Sequence, residues 1–223
     1  PWDPTAQVRP VPGRPRIAVA GGPAFTFGYT ENAELLSAAG AEVVTVDPLR
    51  DEALPEGTAG LVIGGGFPEV YAAELSANES LRADVAALAA RGGPIAAECA
   101  GLLYLARELD GVPMCGVLDV GTAMAARLTL GYRAAVAPAD SVLAPTGTRV
   151  RGHEFHRTHA DPASGKVPAW QWSAAGPEGF VTGSVHASYL HLNWAGSPEL
   201  AERFVASCAA GTRIGRSEQH AHR

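Results

Sequence analysis

A single cysteine, Cys99, stands where an apolar segment passes directly into a helical pattern, in the stretch "RGGPIAAECAGLLYL". The next two residues, Ala100 and Gly101, are small enough for the backbone to turn sharply. A side chain at such a strand-to-helix turn projects from the carboxyl end of the sheet, as a nucleophile does in a nucleophile elbow. The N–H groups that begin the helix favour a thiolate and can hold a developing oxyanion. By position alone, a buried structural cysteine is an equally strong interpretation.

A cysteine nucleophile needs a base, which is usually a histidine distant in sequence. His191 lies at the end of an apolar strand, just before a loop, which suits a base at the sheet edge. His153 and His156 in "GHEFH" are three residues apart, so a regular strand would put them on opposite faces, and we expect no shared metal. Other histidines and cysteines fit these roles less well: His186, His220, His222, Cys115 and Cys208.

Three glycines, Gly64–Gly66, follow an apolar strand and permit close approach of a ligand to the backbone. They do not form a dinucleotide fingerprint, because Glu69 stands where the third glycine of that motif is needed. Lys166 follows a glycine, but Val167 occupies the Ser or Thr position of a phosphate-binding loop. We therefore expect no nucleotide and no metal as cofactor of this chain.

Short apolar strands alternate with helical patterns in the first half of the chain. Strands are predicted at 16–20, 42–46, 60–66 and 94–98, with helices at 30–39, from Asn78 to Gly92, and from Cys99 to about Leu109. This alternation predicts an α/β fold of the flavodoxin-like type, a mostly parallel sheet with helices on both faces.

Strand-like patterns dominate from Gly116 to Ala175, in "LTLGYRAAVA", "TRVRGHEFHRT" and "AWQWSA", and predict antiparallel additions. Residues 179–194 predict a strand pair or bent strand, and Ser197 and Pro198 open a last helix. The proline-rich residues 1–15 predict an interdomain linker, residues 16–210 one domain, and residues 211–223 a tail.

The composition excludes several classes of function. A net charge of −6 argues against a nucleic-acid surface, and the chain has no polybasic patch for a membrane. It has no apolar run near the ~20 residues that span a bilayer. Three cysteines, an odd number, without a secretory signal favour a reducing compartment, and we expect a cytoplasmic protein.

Taken together, these segments resemble the class I glutamine amidotransferase domain, in its cobyrinate-synthase branch. The segments "GGGFPEVYAAELSANESL", "AAECAGLLYL", "RGHEFHRT" and "ASYLHLNWAGSPELAERF" are similar to four signatures of that branch, and "AFTFGYTENAELLSAAGAEVVTVDPLRDEALP" fits its opening segment. The similarity extends from about Arg16 to Cys208 and is strongest to the a,c-diamide synthases of cobyrinate or hydrogenobyrinate.

The resemblance implies that Cys99 is the nucleophile and His191 its base. It implies an oxyanion hole formed by the backbone N–H groups of Gly65 or Gly66 and Ala100. A typical class I triad has a glutamate two residues after the histidine; here Asn193 stands there, as an orienting residue at most, and this branch lacks the glutamate. The remaining polar residues of the "RGHEFH" segment are pocket candidates without an assigned role: Arg151, His153, Glu154 and His156.

The resemblance also implies partners. Glutamine would be the substrate of this domain, and an N-terminal synthetase domain would bind ATP, Mg²⁺ and most of the corrin. A homodimer is left open. Alternative interpretations are a cysteine hydrolase or peptidase of similar fold, a non-catalytic interaction domain, and, within the family, the nickel-sirohydrochlorin a,c-diamide synthase or cobyric acid synthase.

Overall fold

The computed structural model describes residues 2–172 and 176–220, and side chains as far as residue 211. Its strands are β1 (Arg16–Ala20), β2 (Glu42–Val46), β3 (Thr58–Ile63), β4 (Ile95–Glu98), β5 (Glu108–Leu109), β6 (Val112–Pro113), β7 (Gly121–Val136), β8 (Arg149–Asp161), β9 (Trp170–Trp172), β10 (Gly176–Glu178), β11 (Phe180–Thr182) and β12 (Val185–Ser188). Its helices are α1 (Thr30–Ala38), α2 (Ala72–Ala77), α3 (Glu79–Ala90), α4 (Ala100–Leu105) and α5 (Glu199–His220), with short 3-10 helices at Pro4–Ala6 and Trp194–Gly196.

Six strands form the central sheet, in the order β11-β12-β4-β3-β1-β2. All neighbours are parallel except β11 and β12, which form an antiparallel pair. Successive residues of β1 enter different cores: Ala18 packs with the cluster around α3 and α4, and Ile17 with the cluster around α1 and α5. The strands read as nearly continuous apolar runs because both faces of the sheet are buried. The predicted fold class is confirmed.

The second half of the chain builds a separate sheet, in the order β10-β9-β7-β5-β6, with β8 paired to β7. The long strands β7 and β8 are antiparallel, and only β5 and β7 run parallel among its described pairs. The ladder between β7 and β8 shifts register between Met124 and Thr129. The predicted antiparallel additions are confirmed, although residues 173 and 174 of "AWQWSA" lie outside the described residues.

The helix after Cys99 is shorter than predicted. It ends at Leu105, because Ala106 takes an extended conformation with φ −61° and ψ 169°. The chain then forms the hairpin β5–β6, whose turn residues Asp110 and Gly111 have φ values of 50° and 77°. An Asp-Gly pair supplies two left-handed residues and so selects a tight hairpin turn. This local turn signal overrides the helical pattern of the apolar residues before it.

The segment before β1 contacts the domain. Val8 is buried, the Val11 N–H donates to the Ala39 carbonyl (2.8 Å), and the Trp2 indole donates to Glu34 (2.6 Å). The last helix, α5, extends to His220, so the predicted boundary at 210/211 falls inside a helix, and residues 221–223 lie outside the described residues. Among the described helices, α5 included, none combines the length and apolarity of a membrane span.

Candidate active site

Cys99 occupies a strained turn between β4 and α4. Its backbone has φ 50° and ψ −99°, in the left-handed region that residues with a Cβ rarely adopt. The turn is tight because α4 packs directly on β3, where a Cβ on Gly101 would collide with the Ile63 carbonyl. The Cys99 N–H donates to the Ser188 carbonyl (2.7 Å), which anchors the turn to β12. This geometry is that of a nucleophile elbow.

A cavity of about 540 Å³ opens beside Cys99 at the carboxyl edge of the central sheet. Open α/β sheets bind ligands at this edge. Cys99 and His191 both line the cavity, so the fold brings together two residues 92 positions apart. The rest of the wall comes from the loops after β1 and β3, from α4 and from the β7–β8 hairpin: Thr26, Phe27, Gly28, Tyr29, Gly66, Phe67, Glu69, Leu103, Met124, Leu128, His153, Phe155, His156, Arg157 and Thr158.

His191 lies three residues beyond the end of β12 and is held on both sides. Its backbone exchanges two hydrogen bonds with His153 (3.2 and 2.8 Å), and the two imidazoles stack with centroids 4.9 Å apart. Its ring lies so close to Gly65 that a Cβ there would stand 2.5 Å from the His191 Cε1 atom. Burial, together with the nearby His153 and His156, lowers the pKa of His191 to about 4.

The Cys99 thiol is neutral at rest. Burial raises its pKa to about 12, the Ala100 N–H opposes that rise, and the carboxylates of Glu69, Glu98 and Glu178 add to it. The expectation that the helix N-terminus would favour a thiolate is therefore wrong for the resting structure, because desolvation outweighs the N–H group. Since the pKa of His191 is low, the cavity holds a thiol and a neutral imidazole at rest.

The predicted oxyanion-hole residues take different positions. Gly66 lines the cavity, whereas Gly65 packs against the His191 ring and its carbonyl accepts from the Phe27 N–H (3.0 Å). A Cβ on Gly66 would collide with the Ala24 carbonyl, which explains a glycine there. The Ala100 N–H hydrogen-bonds to Cys99 at the start of α4. Gly66 thus borders the cavity that Cys99 lines, and the Ala100 N–H lies at the Cys99 side chain.

Asn193 is exposed and serves as a helix cap. Its Oδ1 accepts from the Ala195 N–H (3.0 Å) at the start of the 3-10 helix Trp194–Gly196. The side chain faces a second cavity of about 490 Å³, which Arg151, His153 and His191 also line. The amide oxygen that would orient the His191 ring is thus used by the backbone.

The "GHEFH" segment lies on β8 and contributes to the cavity from both of its faces. His153 stacks on His191 and His156 stacks on Tyr189, with centroids 3.8 Å apart, and both line the main cavity. The ladder is regular between His153 and His156, so their three-residue spacing puts them on opposite faces of β8, and both nevertheless line the cavity. Even so, no three His, Cys, Asp or Glu side chains within the described ranges are grouped as metal ligands.

Glu154 is the buried centre of a polar cluster on β8. Its carboxylate accepts from Arg133 (2.7 Å) and lies 3.4 Å from His156 Nε2, while His156 Nδ1 lies 2.9 Å from the Thr158 carbonyl. Burial alone would raise the pKa of Glu154, but the His156 hydrogen bond and the Arg133 charge lower it. This cluster fixes the His156 ring against Tyr189. Arg151 is exposed at the rim of the second cavity.

Three carboxylates near the site were missed by sequence reasoning. Glu69 lines the cavity, and Glu98 immediately precedes Cys99, where burial raises its pKa to about 8. Glu178 is buried behind the site, and burial raises its pKa to about 7. The Pro-Glu pair at 68–69 and the Pro-Glu-Gly triplet at 177–179 were visible signals for two of them.

The sequence of this chain is similar to those of known proteins. Residues 16–199 match the model of the CobB/CobQ-like glutamine amidotransferase domain. The chain belongs to this family. The amidotransferase domain is 65% identical over 209 residues to a hydrogenobyrinate a,c-diamide synthase of Streptomyces coelicolor, covering 88% of the chain and 43% of that protein. It is 43% identical over 210 residues to a cobyrinate a,c-diamide synthase of a Synechococcus species, covering 90% and 46%.

Solved structures support the fold. A structure described as a glutamine amidotransferase superposes on this domain with a TM-score of 0.57 at 21% identity, covering 87% of this chain and 98% of that one. A glutamine amidotransferase from Thermotoga maritima gives a TM-score of 0.55 at 15% identity, covering 90% and 95%. The chain spans less than half the length of the curated relatives named above.

Proposed function

We propose that this chain is the glutaminase part of an ATP-dependent amidoligase that converts the a and c carboxylates of hydrogenobyrinate or cobyrinate to amides in cobalamin biosynthesis. The observation that carries the proposal is Cys99 on a strained elbow, sharing one cavity with His191. The names of the relatives, a,c-diamide synthases at 65% and 43% identity, supply the class of product. A cytoplasmic location accompanies this role.

In the proposed reaction, Cys99 attacks the side-chain amide carbon of glutamine. The thiol proton passes to the neutral His191 as the S–C bond forms, and the carbonyl oxygen becomes an oxyanion. The N–H groups of Ala100 and Gly66 stabilise that oxyanion, and an N–H donor of this kind is worth about 10²–10³ in rate. The His191 imidazolium then gives its proton to the departing nitrogen, which leaves as ammonia, and a thioester remains on Cys99.

Hydrolysis of the thioester completes the cycle. His191, which is neutral again, takes a proton from a water molecule while the water oxygen attacks the thioester carbon. The tetrahedral intermediate collapses, the C–S bond breaks, and the proton returns to the sulfur, so that glutamate leaves and the thiol is restored. A neutral resting pair suits this sequence, because each proton moves only while a bond to carbon forms or breaks. No ion pair has to be maintained in a buried site.

The ammonia would pass to a synthetase domain, which would correspond to the part of the curated relatives that this chain does not cover. ATP and Mg²⁺ would be bound there, and would activate the substrate carboxylates. Large apolar side chains are exposed around the cavity mouth, which suits coverage by such a domain. They include Leu128 on β7, Phe155 on β8, and Phe27 and Phe67 on the facing loops, which line the main cavity, and Tyr132 (91% exposed), which lines the second cavity.

The test uses the full-length enzyme with hydrogenobyrinate or cobyrinate, Mg-ATP and either glutamine or ammonium as nitrogen donor. Cys99→Ser should abolish glutamine-dependent amidation and glutamate release, and should keep ammonium-dependent amidation. The corresponding change at a distant buried thiol, Cys115→Ser, should leave both activities near wild type. Amidation with ammonium but not with glutamine in the wild-type enzyme would contradict the glutaminase assignment. Hydrolysis of peptides or esters without any amidation would favour a cysteine hydrolase.

A further inference from the structure

We propose that Glu178 is a positioning residue for the glutaminase reaction, and that it holds the chain segment from which His191 projects. This inference rests on the proposed function. Glu178 is the last residue of β10 and is only 7% exposed. It lies 13 residues before His191 and 79 after Cys99 in the sequence, and it lines neither of the two cavities beside His191. Its action must therefore pass through other residues.

Both oxygens of the Glu178 carboxylate are used by the end of β12. Oε2 accepts from the Ser188 hydroxyl (2.6 Å) and Oε1 accepts from the Tyr189 N–H (2.7 Å). The Ser188 hydroxyl oxygen in turn accepts from the Leu190 N–H (2.9 Å). The regular ladder ends at Ser188, so no neighbouring strand supplies these acceptors. The carboxylate replaces the missing strand and satisfies the backbone where β12 ends.

The same short segment is linked to both reacting residues. The Ser188 carbonyl accepts from the Cys99 N–H (2.7 Å), and the His191 N–H donates to the His153 carbonyl (2.8 Å). Consecutive N–H groups at 189, 190 and 191 thus have defined partners, and the first two depend on Glu178 directly or through Ser188. A carboxylate at one end therefore fixes the direction in which the chain delivers the His191 ring to the cavity.

The charge of Glu178 does not activate Cys99, and this distinguishes a positioning role from an activating one. The charge of Glu178 raises the pKa of the Cys99 thiol, which opposes formation of the thiolate. A buried carboxylate is also costly to keep away from water. Neither effect assists the reaction, so the benefit of Glu178 lies in the geometry that its two hydrogen bonds impose. Misplacement of a reacting group by about 1 Å can cost on the order of 100-fold in rate.

The geometry and the charge of Glu178 predict opposite effects of Glu178→Gln on kcat. The amide keeps the shape and one acceptor. If its NH₂ group faces the Tyr189 N–H, that hydrogen bond is lost; if it faces Ser188, the bond reverses direction and the Ser188 hydroxyl proton loses its acceptor. The lost negative charge should by itself favour the thiolate. If geometry dominates, kcat for glutamine hydrolysis falls about tenfold or more with KM within about threefold. If charge dominates, kcat stays the same or rises.

The experiment compares three variants in the full-length enzyme. Glu178→Gln and Ser188→Ala each break part of the arrangement, and Ser184→Ala is the matched control, because its hydroxyl bonds to Gly93 (2.9 Å) at the opposite end of β12. We expect reduced glutaminase kcat for the first two, unchanged ammonium-dependent amidation, and wild-type behaviour for the control. The double variant Glu178→Gln/Ser188→Ala should be little worse than the more affected single variant, since both act on one arrangement.

The failures of the two proposals can be told apart. A wild-type enzyme without glutaminase activity contradicts the proposed function. An active wild type whose Glu178→Gln and Ser188→Ala variants are folded and keep full kcat overturns the role of Glu178, as does an equal loss of the ammonium-dependent reaction. If Glu178→Gln does not fold, Ser188→Ala decides alone, because it retains the bond from the Tyr189 N–H to Glu178.

Discussion

The imidazoles of His191 and His153 lie nearly parallel, with 8° between their planes, and their backbones are joined by two hydrogen bonds. One ring faces the Cys99 cavity as the proposed base, and the other supports it from β8. A second titratable ring beside the base makes protonation of His191 harder, in addition to the effect of burial. The "GHEFH" segment thus tunes the proposed base as well as shaping the pocket.

Replacing His153 by phenylalanine should move the acidic limb of the pH profile. His153→Phe keeps a stacked ring but removes its charge, so the pKa of His191 should rise while staying below 6.5, because burial remains the larger cause. His191 must be neutral to accept the thiol proton, so kcat/KM for glutamine should start to fall at a higher pH than in the wild type. The measurement is kcat/KM between pH 4 and 8. His159→Phe, an exposed change on the same strand, should leave the limb in place.

Substitutions of His191 and Asn193 should differ steeply. His191→Ala should lower glutaminase turnover by about 100-fold or more, the scale of a positioned acid–base group. Asn193→Ala should lower it by about tenfold or less and should cost about 1 kcal/mol of stability, since its oxygen caps a 3-10 helix. Turnover and thermal melts of both variants give the comparison. Equal kinetic losses in folded protein would make Asn193 a third member of the site.

Cys99 should react faster with a reagent shaped like glutamine than with a simple alkylating agent. Because burial holds Cys99 as a neutral thiol, iodoacetamide should label it slowly at pH 7.5, with a rate that increases with pH. A glutamine-shaped chloroketone should label it at least about tenfold faster, because binding places the carbon beside the sulfur. Mass spectrometry of labelled peptides reports both rates. Fast iodoacetamide labelling at pH 6 would show that Cys99 is a thiolate at rest.

Much of the fold and part of the site follow from local patterns. A few neighbouring residues are enough to predict the parallel strands, the turn at Cys99 and the helix cap at Asn78. The Asn78 side-chain oxygen accepts from the Leu81 N–H (3.3 Å). The protonation state of Cys99 was not predictable, because desolvation depends on side chains brought together from distant segments. The contacts of Glu178 were equally hidden, since its partners lie ten and eleven residues away across a chain reversal.

Strain at Cys99 should be measurable as stability. A residue with a Cβ at φ 50° and ψ −99° costs about 1–3 kcal/mol, whereas glycine adopts that conformation freely. Cys99→Gly should therefore be more stable than Cys99→Ala by about 1 kcal/mol or more, although both lack activity. Ala87→Gly, in the exposed middle of α3, should show the opposite sign and lose about 1 kcal/mol. Denaturant titrations compare the four proteins, and a less stable Cys99→Gly would show that the turn is unstrained.

Glu98 should make the folded protein less stable as pH rises from about 6.5 to 8. Burial raises the pKa of Glu98 from 4.5 to about 8, and the Leu192 N–H and the Trp194 indole act against that rise. No described residue donates a hydrogen bond to the Glu98 Oε1 atom. Between these two values the folded state holds a proton that the unfolded state has released, so the free energy of unfolding falls as pH rises. The slope for one group is at most roughly 1.4 kcal/mol per pH unit.

The window above pH 6.5 isolates this effect from the buried histidines. The pKa values of His186 and His191 are lowered to about 3 and 4, so those residues reduce stability only as pH falls below their unfolded value of 6.5. Glu178, with a pKa of about 7, adds to the slope only near the lower end of the window. Glu98→Gln should therefore flatten the pH dependence between 6.5 and 8 and gain stability over wild type with rising pH. Urea titrations at pH 6.5, 7.25 and 8 give the free energy of unfolding, and the exposed control Glu52→Gln should show the same pH dependence as the wild type. The same pH dependence for all three proteins would mean that Glu98 is ionised throughout.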